Sequence, residues 1–234
     1  MYSLIVQLLD LLFPPHCAAC HTLGGAYLCK RCASFVRYFD GSICPVCDRP
    51  TVNGKTHDVC ANLQPHALDG FVALAQYEQP ISDLIHMLKY SGVRDSSRSV
   101  YTVVRDHWPK WVPRCDFLVP IPIHPKKKLQ RGYNQAAVIA REIAKVYKVP
   151  IHERMLIKAL ETSPQAAVRT RDERRARNEL QQSFQCVARS AVQNAVIGLV
   201  DDVATTRSTL NAACSVLKLA GAKQVWGMVL AHKY

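Results

Sequence analysis

The sequence carries little negative charge. Eighteen Asp and Glu stand against 30 Lys and Arg in 234 residues, a formal net charge of +12. It also lacks an apolar run long enough to cross a bilayer, which takes about 20 residues. The apolar stretch over residues 1–13 is too short, contains Asp10, and has neither a basic leading region nor a small-residue cleavage site. Leu4, Leu8, Leu11 and Leu12 instead have the spacing of a short amphipathic helix packed on the rest of the protein. These absences argue against a signal peptide and stable membrane insertion, with a membrane contact of the leucine helix as the weaker alternative, and the expected location is cytoplasmic. A hydrophobic fraction of 49% with 21% charged residues excludes disorder as well as collagen-like and coiled-coil repeats.

In such a compartment, paired thiols bind metal or do redox chemistry rather than form structural bridges. Seven of the ten cysteines precede residue 61. Cys17 and Cys20, Cys29 and Cys32, and Cys44 and Cys47 are three pairs with the two-residue gap of a zinc knuckle. His57 and Cys60 repeat the gap with an imidazole in place of a thiolate. Eight ligands make two tetrahedral zinc sites. Sequential pairing closes two small loops, Cys17/Cys20/Cys29/Cys32 and Cys44/Cys47/His57/Cys60; a cross-braced pairing of first with third and second with fourth is the alternative. With four protein ligands each, such zincs are structural, holding together a segment too small for its own core. Free thiols and an iron–sulfur cluster are the weaker alternatives. His16 and His21 flank the first pair and are expected on the surface.

Composition changes near Pro65, which divides the chain into a cysteine-rich zinc-binding domain, 1–65, and a second domain, 66–234. In the second, strand-like and helix-like runs alternate. Phe71 to Tyr77, Phe117 to Ile123, Ala195 to Val200 and Gln224 to Ala231 read as strands; Ile81 to Tyr90, Asn134 to Tyr147 and Thr209 to Ala220 read as helices. That alternation predicts a doubly wound α/β fold with a parallel sheet. The apolar run before Asp201 and Asp202 resembles a buried strand whose carboxyl end opens onto a site. Carboxylates there suit the vicinal hydroxyls of a ribose. The turn Val203, Ala204, Thr205, Thr206, Arg207, Ser208 and Thr209, followed by a helix N-terminus, suits a phosphate dianion. The competing reading is an ordinary N-cap by Thr205 or Thr206.

An apolar strand, two acids and a Thr-rich turn resemble the phosphoribosyltransferase family and its phosphoribosyl-pyrophosphate (PRPP) motif, with Arg207 where that family usually has glycine. A side chain there either crowds the loop or adds a phosphate contact. The resemblance extends further. The cysteine pairs, the stretch Tyr77 to Gly92, Val119-Pro-Ile-Pro122, Arg131-Gly-Tyr-Asn-Gln135, Thr162 with Gln165, Arg174 with Asn178 and Phe184, and the acidic motif together resemble the ComF family of competence-associated proteins. This implies a type I phosphoribosyltransferase-like sheet behind a zinc ribbon-like domain. It also implies PRPP binding with Mg2+, a role in uptake of transforming DNA, and a DNA-translocating helicase as partner. Asp201 and Asp202 would carry any catalysis.

The charge excess is local. Residues 124–189 hold 15 Lys and Arg against 6 Asp and Glu. A basic loop after the Phe117 strand should reach the pyrophosphate side, with Arg131 and Gly132 as contacts and Lys126, Lys127 and Lys128 as electrostatic support. Arg169, Arg171, Arg174, Arg175 and Arg177 lie in a polar stretch that the resemblance implies is a lid. They also suit a single-stranded DNA backbone, with Tyr133 for base stacking. Three functions fit these residues. One is a DNA-uptake factor that binds PRPP, another an active phosphoribosyltransferase on an unidentified acceptor, and the third a non-catalytic PRPP-sensing regulator.

Overall fold

The computed structural model describes residues 14–24, 26–39, 42–90, 96–158 and 181–233. The leucine helix expected over residues 1–13 and the arginine cluster from Arg169 to Arg177 lie outside the described residues. In chain order the elements begin with α1 (Lys30–Ala33), α2 (Asp58–Leu63), β1 (Gly70–Gln76), α3 (Ile81–Tyr90) and α4 (Ser96–His107). Next come β2 (Phe117–Pro120), α5 (Pro125–Arg131), α6 (Gln135–Tyr147), β3 (Leu156–Lys158) and β4 (Phe184–Cys186). The series closes with α7 (Arg189–Val192), β5 (Val196–Ala204), α8 (Ser208–Leu219) and β6 (Gln224–His232).

Strand residues alternate between two cores, which is why this sheet is buried on both faces. Val72, Leu74, Leu118, Val200, Trp226 and Met228 face one cluster, filled by α3, α4 and α6 through Leu84, Ile85, Val100, Val104, Ile139 and Ile143. Phe71, Val119, Ile197, Leu199, Val225 and Val229 face the other, filled by Leu210, Ala213 and Leu217 of α8 with Met155 and Phe184. The four main strands are parallel in the order β1-β6-β5-β2. The β3–β4 pair is antiparallel and separate. This is the doubly wound sheet expected from the sequence.

The cysteine-rich part, residues 14–64, joins the same body. Phe39 N–H donates to the Leu74 carbonyl at 3.1 Å and Gln76 N–H to the Arg37 carbonyl at 2.9 Å, so residues 37–39 line the outer edge of β1. Cys17, Leu28, Cys32 and Val36 enter the α3–α4 side of the core.

Two elements depart from expectation near the site. Residues 125–131 form a helix, not a basic loop, because its signals are local. Pro125 stands in the first turn, His124 Nδ1 accepts from Lys126 N–H at 3.3 Å, and Gly132 closes the helix at φ +81° with its N–H on the Lys128 carbonyl. Strand β5 runs four residues past Val200, pairing with β6 as far as Ala204 opposite His232, so the acids belong to the strand itself.

Candidate functional site

Two metal centres assemble from sequential pairs. Ligand atoms of Cys17, Cys20, Cys29 and Cys32 lie within 4.8 Å of one another, as do those of Cys44, Cys47, His57 and Cys60. The cross-braced alternative is therefore ruled out. Tetrahedral zinc with bonds of about 2.3 Å to sulfur sets neighbouring ligands roughly 3.8 Å apart, and a nitrogen ligand shortens that slightly. Cys20 Sγ to Cys29 Sγ is 3.7 Å and Cys47 Sγ to His57 Nδ1 is 3.4 Å, so both sets fit the ion. Backbone N–H groups screen the thiolates: Cys29 N–H donates to Cys17 Sγ and Cys32 N–H to Cys29 Sγ, each at 3.4 Å. His57 Nε2 lies 3.1 Å from the Pro50 carbonyl. A proton on Nε2 donates there and leaves the Nδ1 lone pair for the metal, the usual arrangement of a ligating histidine.

The second constellation sits at the carboxyl end of β5. Asp201 Oδ1 accepts from Asp202 N–H at 2.9 Å, and Asp202 Oδ1 accepts from Val203 N–H at 2.7 Å. Lys89, at the end of α3, pairs with Asp202 Oδ2 at 2.9 Å in a largely buried contact. Burial, reinforced by the neighbouring Asp202 charge, pushes the Asp201 carboxyl well above the usual carboxylate range. Lys158, at the end of β3, is shifted down by burial and by the Lys127 charge, while Asp201 opposes the shift. Two acids and three lysines from α3, α5, β3 and β5 thus share one electrostatic neighbourhood.

The turn after the acids is open. Thr205, Thr206 and Ser208 are exposed, and Thr206 Oγ1 bonds only sideways to Ser208 Oγ at 3.1 Å. Arg207 occupies the cap position of α8 and makes no side-chain cap, which excludes a Thr205 or Thr206 N-cap. No side chain at the cap position accepts from the first turn of this 12-residue helix, whose leading N–H groups have no partner within the helix itself.

Arg207 has φ +55°, the left-handed conformation that glycine adopts at no steric cost. Its side chain turns away from the loop and is buried. Nε donates to the Pro45 carbonyl at 3.1 Å, Nη1 lies 2.9 Å from His232 Nε2, Nη2 pairs with the Asp48 carboxylate, and the guanidinium lies 5.4 Å from the Phe71 ring centroid. The guanidinium therefore does not face the turn as the phosphate contact suggested by its position; only its backbone belongs to the turn. Burial lowers the His232 pKa, and Nδ1 faces the Ala204 carbonyl at 2.9 Å. The neutral ring donates there and accepts from Arg207.

The other sequence candidates lie on α5 and just after it. Lys126, Lys127 and Lys128 lie exposed on α5. Arg131 lies over the Tyr90 ring, 5.3 Å from its centroid, and Gly132 serves as the αL cap of α5. The Tyr133 hydroxyl donates to the Leu88 carbonyl and the ring packs against the core, so it is not a free stacking platform. The exposed aromatic ring beside Arg131 is Tyr90. Neither Lys89 nor Lys158 stands out in the sequence. Each is a lone lysine at the end of an apolar element, and only the fold pairs Lys89 with Asp202 and brings Lys158 within electrostatic reach of Asp201.

The double zinc ribbon domain matches residues 8–64. Competence protein F of Haemophilus influenzae is 28% identical over 92% of this chain and 96% of its own length. The DNA utilization protein YhgH of Escherichia coli is 25% identical over 87% of this chain and 90% of its own, and competence protein ComFC of Bacillus subtilis is 22% identical over 81% and 77%. The chain is thus similar over most of its length to these competence and DNA utilization proteins. Similar solved structures include the glutamine PRPP amidotransferase of B. subtilis with ADP and GMP, at 16% identity and TM-score 0.37. That match covers 57% of this chain and about a quarter of the amidotransferase, 25%. Among the described residues, no helix is long and apolar enough to cross a membrane.

Proposed function

We propose that this ComF-type chain is a cytoplasmic DNA-uptake factor that binds PRPP or a related phosphorylated ribose, with Mg2+, at the end of β5. The observation that carries the reading is the Lys89–Asp202 ion pair, with Asp201 beside it, at the carboxyl end of β5 next to the start of α8; Lys158 lies within electrostatic reach of Asp201 and Lys127 of Lys158. Carboxylates take the ribose diol or the metal ion, the open turn takes the 5′-phosphate, and the lysines balance a pyrophosphate. Arg131 and Gly132, one turn of chain beyond Lys127, border the pyrophosphate side. In this division of labour, residues 1–65 are the metal-held module and residues 66–234 the ligand-binding one. The names of the relatives, competence protein and DNA utilization protein, support the role in DNA uptake. Single-stranded DNA then runs over the basic surface of α5 and the arginines from Arg169 to Arg177, and a DNA-translocating helicase is the partner.

Calorimetry with PRPP and Mg2+ tests the site. The wild type is expected to bind, and Asp202→Ala and Lys89→Ala each to weaken binding at least about tenfold, the loss of one charge-assisted contact. Equal affinity in all three proteins would remove the site from the end of β5. Release of pyrophosphate on incubation with bases or nucleic acids would add a transferase reaction.

A further inference from the structure

Arg207 joins parts of the chain that are remote in sequence. Pro45 and Asp48, its partners, belong to the turn that carries Cys44 and Cys47, where Cys44 N–H donates to the Arg49 carbonyl at 2.9 Å and Asp48 N–H to the Cys44 carbonyl at 3.1 Å. On its other side His232 reaches the Ala204 carbonyl, which also accepts from Lys233 N–H at 2.9 Å. One buried guanidinium thus ties the second metal turn to the ends of β5 and β6, just where the Thr205–Ser208 turn departs.

The physics of that node is asymmetric. A buried guanidinium is tolerated only while its acceptors are in place. Two of the three, the Pro45 carbonyl and the Asp48 carboxylate, are positioned by a turn of a few residues that carries two of the four metal ligands, Cys44 and Cys47, and whose adjoining Ile43 rests on the core. Arg207 also keeps a left-handed backbone at roughly 1–2 kcal/mol over a right-handed one, so its turn depends on these side-chain contacts more than a glycine turn would. Ligands of the first metal site, Cys17 and Cys32, sit in the core on the opposite face of the sheet and make none of these contacts.

We infer that the second metal site and the Thr205–Ser208 turn form one coupled unit, with Arg207 as the positioning residue between them. Metal at Cys44, Cys47, His57 and Cys60 holds the turn in the arrangement that receives an anion, and an anion on the turn retains that metal, as reciprocity requires. The second half of this statement rests on the turn being the phosphate site; the first half does not.

Amide hydrogen exchange on the full zinc-loaded chain tests the first half without any ligand. His57→Ala, checked to retain one zinc, is expected to speed exchange in peptides covering residues 203–210 about tenfold, within the usual range for coupled sites, and to leave β2 unchanged. Arg207→Gly, which suits the positive φ, should speed the same peptides, and adding His57→Ala to it should change nothing more. Asp48→Ala, which leaves Arg207 in place, should reproduce the effect if Arg207→Gly folds poorly. Exchange in residues 203–210 that ignores the second metal overturns the inference, and additive effects in the double variant rule out Arg207 as the route. For the second half, PRPP with Mg2+ should slow chelator removal of one of the two zincs about tenfold in the wild type and not in Arg207→Gly. If calorimetry shows that the wild type does not bind PRPP, the phosphate reading fails, and hydrogen exchange still decides the coupling.

Discussion

Asp201 is held at odds with its surroundings. Its carboxyl is desolvated beside a second acid, and the Lys89 charge only partly offsets this. A carboxyl whose pKa is raised by folding binds its proton more tightly in the folded chain. Folding is therefore penalised above the folded pKa, and the penalty is relieved as pH falls through that value towards the unfolded carboxylate range. Asp201→Asn should accordingly raise Tm in the absence of ligand, by about 2–4 °C for each kcal/mol recovered in a protein of this size. The gain should be largest at neutral pH and should shrink on acidification, with zinc content checked at each pH. The same variant should lose PRPP and Mg2+ binding, the exchange of stability for function typical of a binding site. A melting temperature unchanged or lowered at neutral pH would show that Asp201 is not strained.

At the scale of elements, the ends matter most. The carboxyl end of α3 supplies Lys89 to Asp202, the Tyr90 ring to Arg131 and the Leu88 carbonyl to Tyr133, so one helix end fixes three residues around the site. The metal turns behave likewise, each pair of ligands being one turn. His57→Ala should lower zinc from two ions per chain to one, measured by atomic absorption, while the first cluster keeps its ion. Two ions retained would assign the fourth ligand elsewhere.

The strands β1, β5 and β6 and the helices α3 and α6 were legible in sequence because continuous apolar runs or a 3.6-residue period marked them. The ligand spacing likewise marked both metal sites. Helix α5 was not legible because its three lysines carry no apolar period, and its signals lie in the flanking His124, Pro125 and Gly132. The short β3–β4 pair has three residues per strand, too few for an alternation to register. Nor could spacing reveal Arg207's partners. Asp48 and Pro45 lie 159 and 162 residues away, and the residue at the glycine position pointed towards a ligand rather than towards the ribbon.

For the whole molecule, the excess positive charge is the feature that composition stated and the fold only partly distributes. If single-stranded DNA is the polyanion, affinity should fall steeply with salt. Each phosphate neutralised contributes about 0.7 to the slope of log affinity against log salt. Replacing Arg174, Arg175 and Arg177 together should then lower that slope by about 2, read by fluorescence anisotropy with a labelled oligonucleotide. A slope that does not change would move the DNA path to α5 and the exposed ring of Tyr90.

The strand order has a consequence in time. Within the sheet β1 pairs only with β6, and the residues that meet there, such as Asp69 and Val225, are 156 positions apart. Until residues 224–232 have left the ribosome, β1 and the β2–β5 pair are separate pieces, and closing so long a loop makes the assembly slow. The ribbon is complete much earlier and lines the outer edge of β1 through residues 37–39. During that interval it leaves one strand edge, not two, open to wrong partners. Zinc supply during synthesis should therefore decide how much of the protein escapes aggregation.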